Sequence, residues 1–244
     1  SNLEPSMAKN VINVETELNN RNLAMSKSLS LASENFNLDP KVKKVLILGD
    51  SKADDLYMSL ITKYSGNKYQ FRRIKLDDSE MQKPSDKQDA VSKILNSQLF
   101  LDSDEIILSA TWQANTNSNV VEFIRYLVSQ GKQLSIVSTA NFNDLASVSY
   151  IVAKRNISGS DLNSFMFENI RMDWRRQYLS LKRAINNLSL EVKFLDKLEA
   201  FCNLEKKICN LKNQKSWYIY DSGHLTVEGL EYFGNFAAKK WFPE

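Results

Sequence analysis

Short apolar runs alternate along this chain with segments whose apolar residues recur at helical spacing. The runs are typical of buried parallel strands, and strands are predicted over 44–48, 69–76, 105–108, 133–137 and 190–195. Helices are predicted over 53–64, 90–100, 120–128, 174–188 and 225–241. This order predicts an α/β fold, a three-layer doubly wound sandwich around a five-stranded parallel sheet. Such sheets bind ligands at the carboxyl ends of their strands.

The first 40 residues differ from the rest of the chain. They are polar, contain no glycine and show only a weak helical stripe at Val11, Val14 and Leu18. We interpret residues 1–40 as an N-terminal extension or linker, packed loosely, and residues 41–244 as the folded domain. Inside the domain, the irregular stretch 141–167 predicts short helices and a surface loop around 158–160.

Composition excludes several classes of function. The chain has 244 residues, 43% apolar residues and a net charge of +3 without a long basic block, so nucleic acid is not an expected partner. No apolar run approaches the roughly 18 residues of a membrane helix, and no signal peptide is predicted. We therefore expect no membrane segment in this chain.

One serine and one histidine carry the candidate chemistry. Ser51 follows the first predicted strand in Gly49-Asp50-Ser51, and His224 is the only histidine. A serine hydroxyl becomes a good nucleophile when a base takes its proton, and the chain holds one imidazole for that task. The alternative is a common turn in which Asp50 or Ser51 caps a helix.

The segment Asp221-Ser-Gly-His224 strengthens the catalytic interpretation. Its spacing suits a turn in which the Asp221 carboxylate orients the imidazole and stabilises its protonated form. The alternative is a turn followed by a structural histidine. The two cysteines, Cys202 and Cys209, are compatible with a disulfide in an oxidising compartment or with two reduced thiols. No metal site and no cofactor are predicted.

These motifs resemble the SGNH, or GDSL, hydrolase family. Gly49-Asp50-Ser51 is similar to its first block and Asp221-x-x-His224 to its last, which implies Ser51 as nucleophile, His224 as base and Asp221 as acid. The resemblance covers about residues 41–244.

The chain resembles one subgroup of this family more closely than the others. Asp221-Ser-Gly-His-Leu-Thr-Val-Glu-Gly229, preceded by a cysteine pair, is similar to SGNH domains fused to membrane acyltransferase family three. This implies a Cys202–Cys209 disulfide, a periplasmic site and a membrane acyltransferase domain in the full-length protein. The implied substrates are an acyl donor and a glycan acceptor in a cell-envelope polysaccharide or lipopolysaccharide.

The middle blocks depart from the family pattern. No glycine follows the second strand in 74–81, so the oxyanion hole is assigned to the Ser51 backbone N–H, with Gln113 or Asn115 as candidate side-chain donors. Trp112 is a candidate for lining an acceptor pocket or for packing over the sheet. Lys52 is a candidate contact for an acidic substrate, although a surface charge is favoured.

Three functions remain open from the sequence. The first is acetyl or other acyl transfer to a sugar hydroxyl through an acyl-enzyme. The second is an SGNH carbohydrate esterase or deacetylase, in which water takes the acyl group. The third is a glycan-binding module without catalytic activity.

Overall fold

The computed structural model describes residues 11–37, 39–64, 68–76, 92, 94–112 and 117–243. Its helices are α1 Val14–Ala32, α2 Ser51–Ile61, α3 Gln98–Asp102, α4 Asn117–Ser129, α5 Leu145–Arg155, α6 Gly159–Glu168, α7 Met172–Asn187 and α8 Val227–Lys240, with a 3₁₀ helix at Lys197–Ala200. Its strands are β1 Lys43–Gly49, β2 Tyr69–Lys75, β3 Glu105–Ser109, β4 Gln133–Val137, β5 Val192–Leu195, β6 Cys202–Asn203 and β7 Ile208–Cys209.

Strands β1 to β5 form one parallel sheet in the order β2-β1-β3-β4-β5. The predicted five-stranded parallel sheet and its doubly wound α/β class are confirmed. The strand order reverses direction between β1 and β3, and an open α/β sheet has its ligand crevice at such a point. Of the predicted helix over 90–100, residues 90, 91 and 93 lie outside the described ones. Residues 92, 94 and 95 are helical, a turn follows at 96–97, and α3 begins at Gln98.

Alternate residues of each strand supply two separate cores. On one face, residues such as Val45 and Ile47 of β1 pack with α2, α5 and α8. On the other, Leu46 and Leu48 pack with α3, α4 and α7. Because both faces are covered, the central strands contain apolar residues at successive positions, which is why they are continuous apolar runs in the sequence.

Helix α1 differs from the loosely packed segment expected before residue 41. Asn13 caps it by accepting from the N–H of Thr16, and the helix runs for 19 residues. Val14 and Leu18, two positions of the predicted stripe, are 37% and 40% exposed, so the stripe is not the packing face. Arg21 is instead buried against the domain, where its guanidinium pairs with Asp55 at 3.0 Å.

The cysteines close a small hairpin. Strands β6 and β7 are antiparallel, with Cys202 opposite Cys209, and a disulfide joins the two residues. Among the alternatives left open by the sequence, the structure has the disulfide. Across the described residues, no helix has the length and apolar character needed to cross a bilayer.

Candidate active site

The turn between β1 and α2 places Ser51 at the first position of a helix. Gly49 has a φ of +148°, and a Cβ there would lie 1.9 Å from the Ser109 carbonyl oxygen of β3, so only glycine fits. Asp50 caps the helix by accepting from the N–H of Lys52 at 2.8 Å. Its second oxygen accepts from the N–H of Thr111 at 2.8 Å, which joins this turn to the end of β3.

The turn after residue 220 holds the imidazole with one carboxylate. Asp221 Oδ1 accepts from the N–H groups of Gly223 and His224 at 2.8 and 2.7 Å. Asp221 Oδ2 lies 2.6 Å from His224 Nδ1. The two-residue spacing therefore lets a single carboxylate fix both the backbone turn and the ring.

His224 joins this turn to α2. Its Nε2 lies 2.8 Å from Ser51 Oγ, although the two residues are 173 positions apart in the chain. With a hydrogen on Nδ1, the ring donates to Asp221 and accepts from the Ser51 hydroxyl. The structure thus brings together the three side chains predicted from the sequence, in an arrangement that can move a proton from Oγ to Nε2.

The charge of Asp221 is stabilised in this arrangement. Burial would raise the pKa of Asp221, but the hydrogen bond and charge of His224, with the two backbone N–H donors, outweigh it and hold the pKa well below its ordinary value. The carboxylate is therefore ionised at neutral pH and can stabilise an imidazolium.

Asp55 links the serine helix to the histidine turn, and sequence reasoning missed it. Asp55 and Asp54 look like ordinary charges near a helix N-terminus, where they favour the dipole. Asp55 is instead fully buried. Its Oδ2 accepts from the N–H of Leu225 at 3.2 Å, and its Oδ1 accepts from Arg21. The available signal was its position four residues after Ser51, on the same side of α2.

A cavity of about 190 Å³ opens beside Ser51 and His224. The described residues around it also include Asn141, Phe142, Arg171 and Trp174. The Asn141 carbonyl accepts from the N–H of Arg171 at 2.9 Å, and Phe142 bridges to Ile170, so the loop after β4 carries the start of α7 to the site. Asn141 lies just past the end of a central strand, which is the only sequence signal for it.

A second cavity, of about 500 Å³, lies against the disulfide hairpin. It is larger than the first, but neither Ser51 nor His224 nor Asp221 lines it. We place the chemistry at the smaller cavity because that is where the hydroxyl, the imidazole and the carboxylate meet.

The structure decides between the alternatives for Trp112 and overturns the one favoured for Lys52. Trp112 does not line the cavity as an acceptor contact: it is 3% exposed, packs in the core above the sheet and donates its indole N–H to the Val137 carbonyl at 2.8 Å. Lys52 is not the surface charge that was favoured, since it is 8% exposed and lines the cavity. Gln113 and Asn115, the candidate oxyanion donors, lie outside the described residues.

Comparison with known proteins places the chain in a family. The model of the SGNH domain that is fused to AT3 domains matches residues 22–239. The chain belongs to this SGNH family. The match begins inside α1, so the family pattern includes part of residues 1–40, which the sequence predicts to be an extension or linker. No relative was found among curated proteins.

One solved structure shares this fold. The periplasmic domain of a lipopolysaccharide acetyltransferase from Salmonella ser. Paratyphi A superposes with a TM-score of 0.60 at 12% identity, over 93% of this chain and 97% of that one. At this identity the likeness shows the fold alone. A Streptococcus pneumonia protein, described provisionally as a platelet activating factor, covers 94% of this chain and 95% of its own at 15% identity; its TM-score of 0.44 carries no conclusion.

Proposed function

We propose that this SGNH domain transfers an acyl group, most simply acetyl, to a hydroxyl of a cell-envelope glycan through an acyl-enzyme on Ser51. The observation that carries the proposal is the continuous hydrogen-bonded path from Ser51 Oγ through His224 to Asp221, at 2.8 and 2.6 Å. Membership in a family of SGNH domains fused to AT3 domains supports it.

In the first step, Ser51 Oγ attacks the carbonyl carbon of the acyl donor while His224 Nε2 takes the hydroxyl proton. The new imidazolium is stabilised by Asp221. The carbonyl oxygen becomes negative, and the backbone N–H of Ser51 at the start of α2 is the donor that we assign to it. The leaving group receives the proton from His224, and an ester on Ser51 remains.

In the second step, a sugar hydroxyl attacks the ester carbon. His224 removes the proton of that hydroxyl and returns it to Ser51 Oγ as the ester bond to the enzyme breaks. Water can perform the same step in place of the sugar. The side chains of His224 and Asp221 are 25% and 31% exposed, so solvent reaches the site, and this exposure favours hydrolysis as the second candidate activity.

The cellular setting is part of the proposal. We place the domain on the extracytoplasmic side of a bacterial membrane, with a membrane acyltransferase domain as the source of the acyl group. The disulfide supports an oxidising compartment. The Salmonella relative in fold is itself a periplasmic domain of a lipopolysaccharide acetyltransferase.

Product partition tests the proposed reaction. The protein is given an activated acetyl ester, with and without an oligosaccharide acceptor, and acetate and acetylated sugar are both quantified. Transfer predicts acetylated sugar that increases with acceptor concentration and is absent with Ser51→Ala. Acetate alone at every acceptor concentration would favour the esterase. If wild type and Ser51→Ala show the same activity, the proposed nucleophile is wrong.

A further inference from the structure

Lys52 is a buried cation inside the candidate active site. The residue is 8% exposed, and it lines the cavity together with Ser51 and His224. Moving an ammonium group out of water is costly unless an anion compensates it. The position of its counter-charge is therefore informative.

The acidic residues close to Lys52 in the sequence, and Asp221 of the histidine turn, have other partners. Asp54 pairs with Arg73. Both oxygens of Asp50 accept backbone N–H groups, from Lys52 itself and from Thr111. The oxygens of Asp221 accept from its own turn and from the imidazole. Within the part of the chain that the structure describes, the Lys52 ammonium has no ion pair and no hydrogen bond.

The ammonium lies against Gly223, next to an amide oxygen that has no hydrogen-bond partner among the described residues. A Cβ at Gly223 would lie 2.9 Å from Lys52 Nζ and 2.4 Å from Asn141 Oδ1. Asn141 is 7% exposed, and its Oδ1 has no hydrogen-bond partner in the described structure. The amide oxygen can accept from the ammonium, but it carries no charge to neutralise it. The space left by Gly223 thus keeps a positive charge beside the histidine turn.

The rest of the cavity fits one sugar ring. Its volume of about 190 Å³ is below the roughly 300–1,000 Å³ of pockets for drug-sized ligands. Trp174 is partly exposed and supplies aromatic surface, on which the C–H face of a sugar can pack, whereas Phe142 is fully buried. Arg171 also lines the cavity, although its guanidinium is paired with Asp173 at 2.6 Å. Among the described residues that line the cavity, Lys52 therefore carries the positive charge that has no ion-pair partner.

We propose that this cavity is a subsite for an acidic sugar, in which the Lys52 ammonium pairs with a carboxylate carried by the acceptor next to the hydroxyl that is acylated. The proposal rests on the proposed function for its role in acceptor choice. The carboxylate would supply the counter-charge that the described chain lacks. A neutral sugar would leave the ammonium uncompensated and should bind less tightly.

Binding to Ser51→Ala protein tests the subsite without catalysis. Three probes are titrated by NMR: methyl glucuronide, methyl glucoside and glucose 6-phosphate. We expect the glucuronide to bind about tenfold more tightly than the glucoside, which corresponds to one well-placed ion pair. Equal affinity for the two sugars would overturn the proposal. Tighter binding of the phosphate than of the glucuronide would overturn the assignment to a carboxylate.

Charge variants identify the responsible group. In the same Ser51→Ala background, Lys52→Gln should remove the preference for glucuronide, and Lys52→Arg, which keeps the charge, should retain most of it. Lys154→Gln is the matched control, because Lys154 is exposed on α5. A preference that persists in Lys52→Gln would show that another group binds the carboxylate. A failure of the proposed acyl transfer would leave these binding results unchanged, so the two hypotheses fail separately.

Discussion

At the level of single residues, the proposed proton transfer depends on which atom each side chain of the site faces. Ser51 Oγ faces His224 Nε2, and His224 Nδ1 faces Asp221. Each of the three therefore acts through its neighbour. Residues that act as one unit have non-additive effects when they are removed, because the loss of any member ends the same proton transfer.

We accordingly predict that Ser51→Ala and His224→Ala each lower kcat for an activated acetyl ester by about 10³-fold to 10⁶-fold. The double variant should be no worse than the more damaged single variant. Steady-state kinetics on purified protein measures this. Losses that multiply in the double variant would contradict a shared proton relay.

Asp221→Asn should lower kcat by about 10²-fold to 10⁴-fold. The amide would keep the shape of the side chain, but it carries no charge to stabilise the imidazolium and can favour the wrong ring tautomer. Because the pKa of Asp221 is low, its carboxylate stays ionised between about pH 5 and 8. Its titration therefore contributes no step to the pH profile of kcat in this range, and Asp221→Asn should remove none. A wild-type rate in Asp221→Asn would remove Asp221 from the mechanism.

At the level of elements, α2 fixes the relation between nucleophile and base. Ser51 starts the helix, and Asp55, one turn later, accepts from the N–H of Leu225, the residue after His224. Asp55 in turn pairs with Arg21 of α1 at 3.0 Å and lies 3.7 Å from Lys197. The N-terminal helix is thereby connected to the candidate active site through one buried carboxylate.

Arg21→Met should lower the free energy of unfolding by about 3 kcal/mol, because the buried carboxylate of Asp55 loses its main partner. Urea denaturation measures the change. Arg155→Met, at an exposed position at the end of α5, is the control and should stay within about 0.5 kcal/mol of wild type. Equal stabilities of the two variants would show that α1 contributes little through this pair.

Lys197, which lies beside the Asp55 carboxylate, should make the free energy of unfolding depend on pH. Burial lowers the pKa of Lys197 to about 8, and the charge of Asp55 opposes this only in part. An unfolded lysine titrates near 10.4, so from about pH 8 to 9.5 the unfolded chain binds more protons than the folded one. The contribution of Lys197 to the free energy of unfolding should therefore rise with pH over this range.

Lys197→Met, compared with wild type by urea denaturation across that range, isolates the effect. The rise should be present in wild type and smaller in the variant. Burial also raises the pKa of Tyr220, to about 12, which acts in the opposite direction only above about pH 10. A steeper rise in the variant than in wild type would contradict the lowered pKa of Lys197.

The elements also show what a sequence can and cannot predict. The sheet was predictable because strands buried on both faces are continuous apolar runs. The pairing of Ser51 with His224 was predicted because the chain has a single imidazole and because the two motifs resemble the SGNH blocks. The burial of Lys52 and Asp55 was not predicted, and Trp112 was left between two alternatives, of which the structure has packing over the sheet. Their burial depends on partners far away in the chain, and neither periodicity nor local spacing contains that information.

At the level of the whole molecule, the disulfide hairpin of β6 and β7 follows β5 in the chain and precedes the histidine turn. Closing a loop of seven residues contributes about 2–3 kcal/mol to stability in the chain-entropy model. Reduction should lower the free energy of unfolding by that amount. The Cys202→Ser/Cys209→Ser double variant should already be destabilised and should not respond to reductant.

Thiol labelling gives an independent check of the compartment. Protein denatured without reductant should show no free cysteine, as both cysteines of the chain are paired. Two free thiols in protein isolated from the periplasm would contradict the disulfide and weaken the proposed location.

The proposed reaction requires a covalent intermediate on one hydroxyl. The protein is mixed with an activated acetyl ester, quenched in acid within the first turnover and analysed by peptide mass spectrometry. We predict one acetyl group, located on Ser51, which accumulates in wild type and is absent in both Ser51→Ala and His224→Ala. An acetyl group on any other residue with Ser51 unmodified, during turnover that Ser51→Ala does not abolish, would contradict the account.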